Sequence, residues 1–419
     1  MAETPERPEL ARRLGFAEAT AVALGAMIGA GVYVSIGEAA DATGGSLLAA
    51  VLVGAGVATL NGLSAAELGA DDPHAGGAYR FGRRLVSPVV GFLAGWLLLL
   101  AELTAGATFA LTFAAYLGPL LPGLPPRHIG LALLLVALLL NLLGVRISAR
   151  ANLLLVTVSI GVLIVFVALT LPAFSVGKLQ PFLAAGLLGL LRASALMFFA
   201  YTGYARPVTV AEEVQEPAST LPRAVLTALA VTTLLYSLVA LSALGALGPE
   251  RMGQEEAPLR AAVLEAGHPL GSTLISLGAL VATSTVLITG IWGLSRLAFA
   301  MAREGDLPEW FGRLAEPEGI PRNAVLAASL VLILLAAILD LRPALEGSSL
   351  ALLAYYWIMN LSALHLPPGR RLYPNVVPAA GLAGCTLLAL SLPWQTLAAV
   401  LGTLVVGLAY YALRHGRRW

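Results

Sequence analysis

Apolar runs of about 20 residues recur along the chain from Phe16 to Leu413, and each can cross a hydrocarbon layer ~30 Å thick. Few folds are then open to the 419 residues. Inside a bilayer every backbone N–H and C=O needs a partner, so only helices and closed barrels cross. The runs are continuously apolar instead of alternating, which excludes a β-barrel. Charged residues make up 12% of the chain, about half the share of a soluble domain. The expected class is an all-α integral membrane protein.

Hydropathy predicts about twelve spans, near 16–40, 46–70, 88–116, 128–145, 151–173, 186–211, 224–247, 270–301, 323–341, 348–366, 374–392 and 395–413. Loops are short, and no separate soluble domain is expected. Residues 1–14 mix glutamate with arginine and lack the pattern of a signal peptide. The single cysteine, Cys385, excludes a disulfide framework. With the N-terminus inside, 17 loop arginines fall on the cytoplasmic side. Only Arg127, Lys178, Arg251, Arg260 and Arg342 fall outside. This bias predicts an even number of spans and both termini in the cytoplasm.

Two spans carry breaks. The first holds Gly25-Ala-Met-Ile-Gly-Ala-Gly31. Each glycine there costs about 1 kcal/mol relative to alanine in a helix, and irregular backbone at membrane depth survives only where it lines a cavity or is buried in protein. A close helix contact through Gly25 and Gly29 is the plainer alternative. The second break is Phe198-Phe-Ala-Tyr-Thr-Gly-Tyr-Ala205, followed by Arg206 and Pro207. Proline cannot donate to the helix ladder. Breaks five spans apart predict inverted repeats of five helices with a ligand site between them. The expected organisation is residues 1–14 as a cytoplasmic segment, 15–173 and 174–366 as two repeats, and 367–419 as two added helices and a tail.

The chain resembles the amino acid–polyamine–organocation transporter superfamily. The resemblance rests on Gly25-Ala-Met-Ile-Gly-Ala-Gly-Val-Tyr33, Ala66-Glu-Leu-Gly69, Pro73-His-Ala-Gly-Gly-Ala-Tyr79 and Gly91-Phe-Leu-Ala-Gly-Trp96. It continues through Phe198-Phe-Ala-Tyr-Thr-Gly-Tyr204, Ala211-Glu-Glu-Val214, Pro217, Leu294-Ser-Arg296 and Ala300-Met-Ala-Arg-Glu-Gly-Asp-Leu-Pro308. It implies the broken-helix fold and alternating access.

The helix half that follows the first break presents free amides and the positive end of its dipole. The resemblance assigns the substrate carboxylate to Ile28, Gly29, Ala30 and Gly31. It assigns the α-amino group to carbonyls of Phe199, Ala200 and Thr202 around Gly203. Donors on one side and acceptors on the other suit a zwitterion, hence an α-amino acid. Phe198, Phe199, Tyr201 and Tyr204 are nearby, with two of the four expected to face lipid or core. Ala205 stands where many relatives carry an acid, which favours a neutral, apolar amino acid over a cationic one.

Glu102 lies midway along the third span. An ionisable group at that depth is a functional candidate, here for a coupling proton, with an ion pair to Arg206 as the structural alternative. Arg206 is also a gating candidate. Glu67, Glu212 and Glu213 are expected in salt bridges with Arg80, Arg83 or Arg223. Related carriers that work without sodium have a lysine that aligns with Ser159. Its absence leaves Ser159, Thr285 and Thr289 as a candidate oxygen cage for Na⁺, against the ordinary reading that such hydroxyls bond their own helix. The five histidines lack metal-ligand spacing, and no phosphate-loop motif marks a nucleotide-driven pump. No cofactor, enzyme activity or nucleic-acid partner is indicated. The expected function is secondary amino acid transport in the cytoplasmic membrane, coupled to H⁺ or Na⁺ or by exchange. The alternatives are an exporter or exchanger of another organic amine, a channel, or a non-transporting amino acid sensor.

Overall fold

Several helices start where the chain supplies a proline or a cap. Proline opens several of them, since its missing N–H is one the first turn leaves unpaired anyway. Ser87 caps another by accepting the Val90 amide. The computed structural model describes residues 14–74, 76–144, 149–209, 211–315 and 319–416. Among the topology arginines, Arg7, Arg12, Arg13, Arg146, Arg417 and Arg418 lie outside the described residues.

The first span is two halves, α1 (Phe16–Met27) and α2 (Gly31–Thr43). Then come α3 (Leu47–Asp71), the short α4 (Gly77–Leu85), α5 (Pro88–Leu117), α6 (Pro126–Leu142) and α7 (Ala149–Thr170). The sixth span is again in halves, α8 (Gly186–Tyr201) and the single-turn α9 (Arg206–Thr209). α10 (Pro217–Leu247), the short α11 (Pro249–Gln254) and α12 (Pro258–Glu265), and α13 (Pro269–Arg303) follow. The chain closes with α14 (Arg322–Ile338), α15 (Leu341–Leu364), α16 (Val376–Leu390) and α17 (Trp394–His415). The described residues form no strand longer than an isolated bridge. Six helical stretches are long and apolar enough to cross a membrane, and five shorter apolar helices accompany them.

The largest buried cluster joins α2, α3, α8, α10 and α15. α2 packs on α8, α3 on α10, and α5 on α13 and α15. The broken segments thus sit in the middle of the molecule, not at its rim.

One end of the bundle, called here the basic end, is tied by arginine pairs. Asp72 pairs with Arg80 and Arg84, and Asp71 with Arg84 and Arg370. Buried Asp306 accepts from Arg83 and from the Tyr79 hydroxyl, both at 2.6 Å. Burial pushes the Asp72 carboxyl up, but hydrogen bonds from Arg80 and His74 and the charges of Arg80 and Arg84 outweigh it, so its pKa lies below the ordinary value. Glu67 does not form the expected bridge to Arg80 or Arg83. Its buried carboxylate accepts the amides of Leu372 and Tyr373, at 2.6 and 2.9 Å. The nearby arginines are already taken by Asp71, Asp72 and Asp306.

Candidate functional site

The first break is built by a tight turn. Ile28, at φ −82° and ψ 68°, closes an inverse γ-turn in which the Gly29 amide donates to the Met27 carbonyl at 2.8 Å. The next half-helix, α2, starts at Gly31 without a side-chain cap. The amides of Ala30, Gly31 and Val32 therefore have no partner among the described residues. Ile28, Gly29, Ala30 and Gly31 are all buried. A Cβ on Gly29 would lie 2.8 Å from Val286, and one on Gly31 would lie 2.7 Å from the Ala200 Cα. Side chains at these positions would separate the first break from α13 and from α8.

The second break differs. Thr202 is extended, at φ −62° and ψ 131°, and Gly203 has φ +130°, a region that side chains rarely enter. A Cβ on Gly203 would meet the Ala26 carbonyl carbon and oxygen at 2.6 Å. The two breaks are in direct contact. The Phe199 carbonyl already accepts the Thr202 amide at 3.2 Å and the Thr202 hydroxyl at 2.6 Å. The Ala200 carbonyl lies 3.3 Å from the Tyr236 hydroxyl. Two of the three carbonyls expected to receive an amino group are thus engaged in this state. The Thr202 carbonyl has no partner among the described residues.

Tyr236, on α10, has no signal in the sequence that sets it apart from other span tyrosines. Its buried hydroxyl donates to the Met27 carbonyl at 2.7 Å and also reaches Ala200. One side chain thus bridges both breaks. The four aromatic residues of the second break lie in the core. Phe198, Phe199, Tyr201 and Tyr204 are all buried, because the second break lies inside the bundle. Phe199 packs against Phe109 of α5 at 5.5 Å between ring centres.

Beside the first break a narrow cleft runs between α5, α13 and α14. Glu102, Gly106, Phe109, Val286, Gly290 and Leu332 are among its walls. Glu102 forms no hydrogen bond or ion pair among the described residues. Arg206 acts on it only through its charge and makes no salt bridge with it. Arg206 is exposed, and its guanidinium lies near Gly293 of α13.

The hydroxyls of the candidate sodium cage bond to their own helices. Ser159 donates to Leu155, Thr285 to Val281 and Thr289 to Thr285, at 2.7–2.9 Å. These are ordinary back-bonds of serine and threonine in helices.

Access to the breaks is unequal. α2 is almost wholly buried, whereas Leu24, Gly25 and Ala26 of α1, together with Thr202, Gly203 and Ala205, are half-buried. Arg342 of α15 holds Glu38 and Asp41 of α2. Arg192 of α8 holds Glu346 of α15, and the Thr396 hydroxyl donates to that carboxylate at 2.9 Å. α11 and α12 close over Gly37, with the Met252 carbonyl and Pro258 against it. The end away from the arginine cluster is therefore shut. At the basic end, the chain entering α1 is held mainly by backbone contacts. The Leu14 amide donates to Glu213, and the Gln215 amide donates to Leu14, both at 2.9 Å. Arg223 lies over the Phe16 ring at 5.0 Å.

The family model for amino acid permeases matches residues 14–413. An uncharacterized transporter of Mycobacterium tuberculosis is 37% identical over 97% of this chain and 92% of its own. The branched-chain amino acid permease of Bacillus subtilis is 26% identical over 99% of this chain and 95% of its own. A cationic amino acid transporter of Arabidopsis thaliana is 31% identical over 85% of this chain and 62% of its own. A crystal structure of a mutant manganese transporter of Eremococcus coleocola superposes with a TM-score of 0.63, covering 95% of this chain and 94% of that one, at 16% identity. At that identity the likeness is one of fold.

Proposed function

The chain belongs to the amino acid permease family, and from that premise we propose that it is a secondary transporter moving one α-amino acid per cycle by alternating access. Its two five-helix repeats, 15–173 and 174–366, rock around the paired breaks. The basic end faces the cytoplasm, and so do both termini. The state described here is closed outside by the Arg342 and Arg192 pairs.

The observation that carries this reading is the trio of buried, unpartnered amides at Ala30, Gly31 and Val32. A buried donor without an acceptor costs about 1–3 kcal/mol. A fold keeps three of them together where something supplies an acceptor. They stand at a helix N-terminus, so the favoured acceptor is an anion. A carboxylate fits, with Ile28 and Gly29 shaping the turn beside it. The amino group then turns to the second break, where Thr202 offers its carbonyl. Phe199 and Ala200 become available when Thr202 and Tyr236 change partners, with Gly203 as the pivot.

Phe109, Phe199, Val286 and Leu332 make the side-chain pocket apolar, which supports a neutral substrate such as a branched-chain amino acid. Glu102 is the coupling group. A carboxyl inside the cleft with no ionic partner can take up and release a proton during the cycle.

Purified protein in liposomes loaded with a neutral amino acid tests this. Saturable uptake with trans-stimulation is expected. Binding without flux would leave a sensor, and flux without saturation a channel.

A further inference from the structure

A second buried polar cluster stands apart from the cleft, between α3, α15, α16 and the second break. Asn360 of α15 donates to the Asn61 side-chain oxygen of α3 at 2.7 Å and to the Tyr356 carbonyl at 2.9 Å. Asn61 donates in turn to the sulfur of Cys385 on α16 at 3.3 Å. Asn61 and Asn360 are fully buried. The cluster needs room, and Gly381 provides it: a Cβ there would lie 2.5 Å from the Asn360 side-chain oxygen.

Tyr204 belongs to this cluster. It follows the pivot Gly203, and its ring packs 5.0 Å from that of Tyr356. Its hydroxyl is buried within interaction range of the Asn61 and Tyr356 side chains but completes a well-aligned hydrogen bond with neither. The side-chain oxygen of Asn360 is also buried without a partner. One is a donor and the other an acceptor. A membrane interior gives neither group water as a substitute. The ring of Tyr204 alone would fill the same space, so packing does not explain the hydroxyl.

The segment that carries Tyr204 is where the helix of the sixth span is interrupted. Gly203 is at φ +130°, Thr202 to Ala205 is non-helical, and the helix beyond it lasts one turn. We infer that Tyr204 is a positioning residue for translocation: its hydroxyl donates to the Asn360 side-chain oxygen once the second break moves, and that bond holds the break against α3 and α15 in the second state. In the present state the two groups are not hydrogen-bonded to each other. The Asn61–Asn360–Cys385 chain keeps the acceptor in place for the return. The inference rests on the transport reading, because it needs a second state.

The test is a double-mutant cycle on initial rates of amino acid exchange in liposomes. Tyr204→Phe and Asn360→Leu are each expected to lower Vmax about tenfold with KM changed less than about twofold, since only passage between states is affected. The double variant is expected to be no slower than Asn360→Leu alone, because Asn360→Leu already removes the Tyr204–Asn360 bond along with its own bonds to Asn61 and Tyr356. Gly381→Ala serves as a second way to displace the acceptor if Asn360→Leu does not reach the membrane. A wild-type Vmax in Tyr204→Phe, or losses that multiply in the double variant, overturns the inference alone. A wild-type protein with no saturable exchange overturns the transport reading and this inference together.

Discussion

The two breaks look alike in sequence and behave differently in the fold. The first is buried, and its turn is closed by one short backbone bond, yet it leaves three amides unsatisfied. The second is half-accessible, and its Phe199 carbonyl is satisfied twice by Thr202. One break stores unmet donors and the other stores a pivot. The proposed mechanism gives recognition to the first and movement to the second. Tyr236 couples them by bonding the Met27 carbonyl while reaching Ala200.

Substitutions separate those roles. The largest effect is expected from Gly203→Val. The side chain meets the Ala26 backbone at 2.6 Å in a conformation that disfavours any Cβ. Loss of folded protein from the membrane fraction is expected, and normal yield with normal transport would show that the second break is not rigidly required. Gly29→Val comes next. It meets only a Val286 methyl group, at 2.8 Å, so the protein folds with a loss of about 1–3 kcal/mol but no longer binds substrate in a thermal-shift assay. Unchanged uptake would remove the first break from the site.

Tyr236→Phe tests the coupling between the breaks. The Met27 carbonyl loses a partner, at a cost of about 1–3 kcal/mol. Weaker substrate retention and a raised KM are expected in uptake kinetics, while equal kinetics would make the bridge incidental. Glu102→Gln tests the proton. Uptake driven by a pH gradient should be lost while exchange at equal pH continues. An unaltered pH profile assigns the proton elsewhere.

The smallest effect belongs to the ion pairs of the basic end. Asp72→Asn should lower the melting temperature by on the order of 2 °C at neutral pH. The carboxyl has a depressed pKa in the folded protein, so its contribution is full above the ordinary carboxylate pKa of about 4 and fades as pH falls further. Wild type and variant should converge in acid, and a constant gap would mean that the charge of Asp72 is not what holds the loop.

Much of this was legible in the sequence. The apolar runs and their prolines gave the helices, and Gly25 to Gly31 and Thr202-Gly203 marked both interruptions. Local chemistry decides those features, so a local reading finds them. Partners far apart in the chain were not legible. Glu67 was expected to meet an arginine and instead caps the segment at Leu372 and Tyr373. The Tyr236 bridge, the Asp306–Arg83 pair and the Asn61–Asn360 bond each join segments that only tertiary packing brings together. Ala205 marked the absence of one acid, and Glu102 was marked by its depth in the third span, but its lack of an ion pair with Arg206 was not legible.

The most direct test compares an amino acid with its own methyl ester. Binding of both to the purified protein is measured by thermal shift, beside the deaminated acid as a control. If the amides of Ala30, Gly31 and Val32 grip a carboxylate, blocking that group should weaken binding by about 100-fold, on the order of 3 kcal/mol. An ester that binds as tightly as the free amino acid would contradict the account.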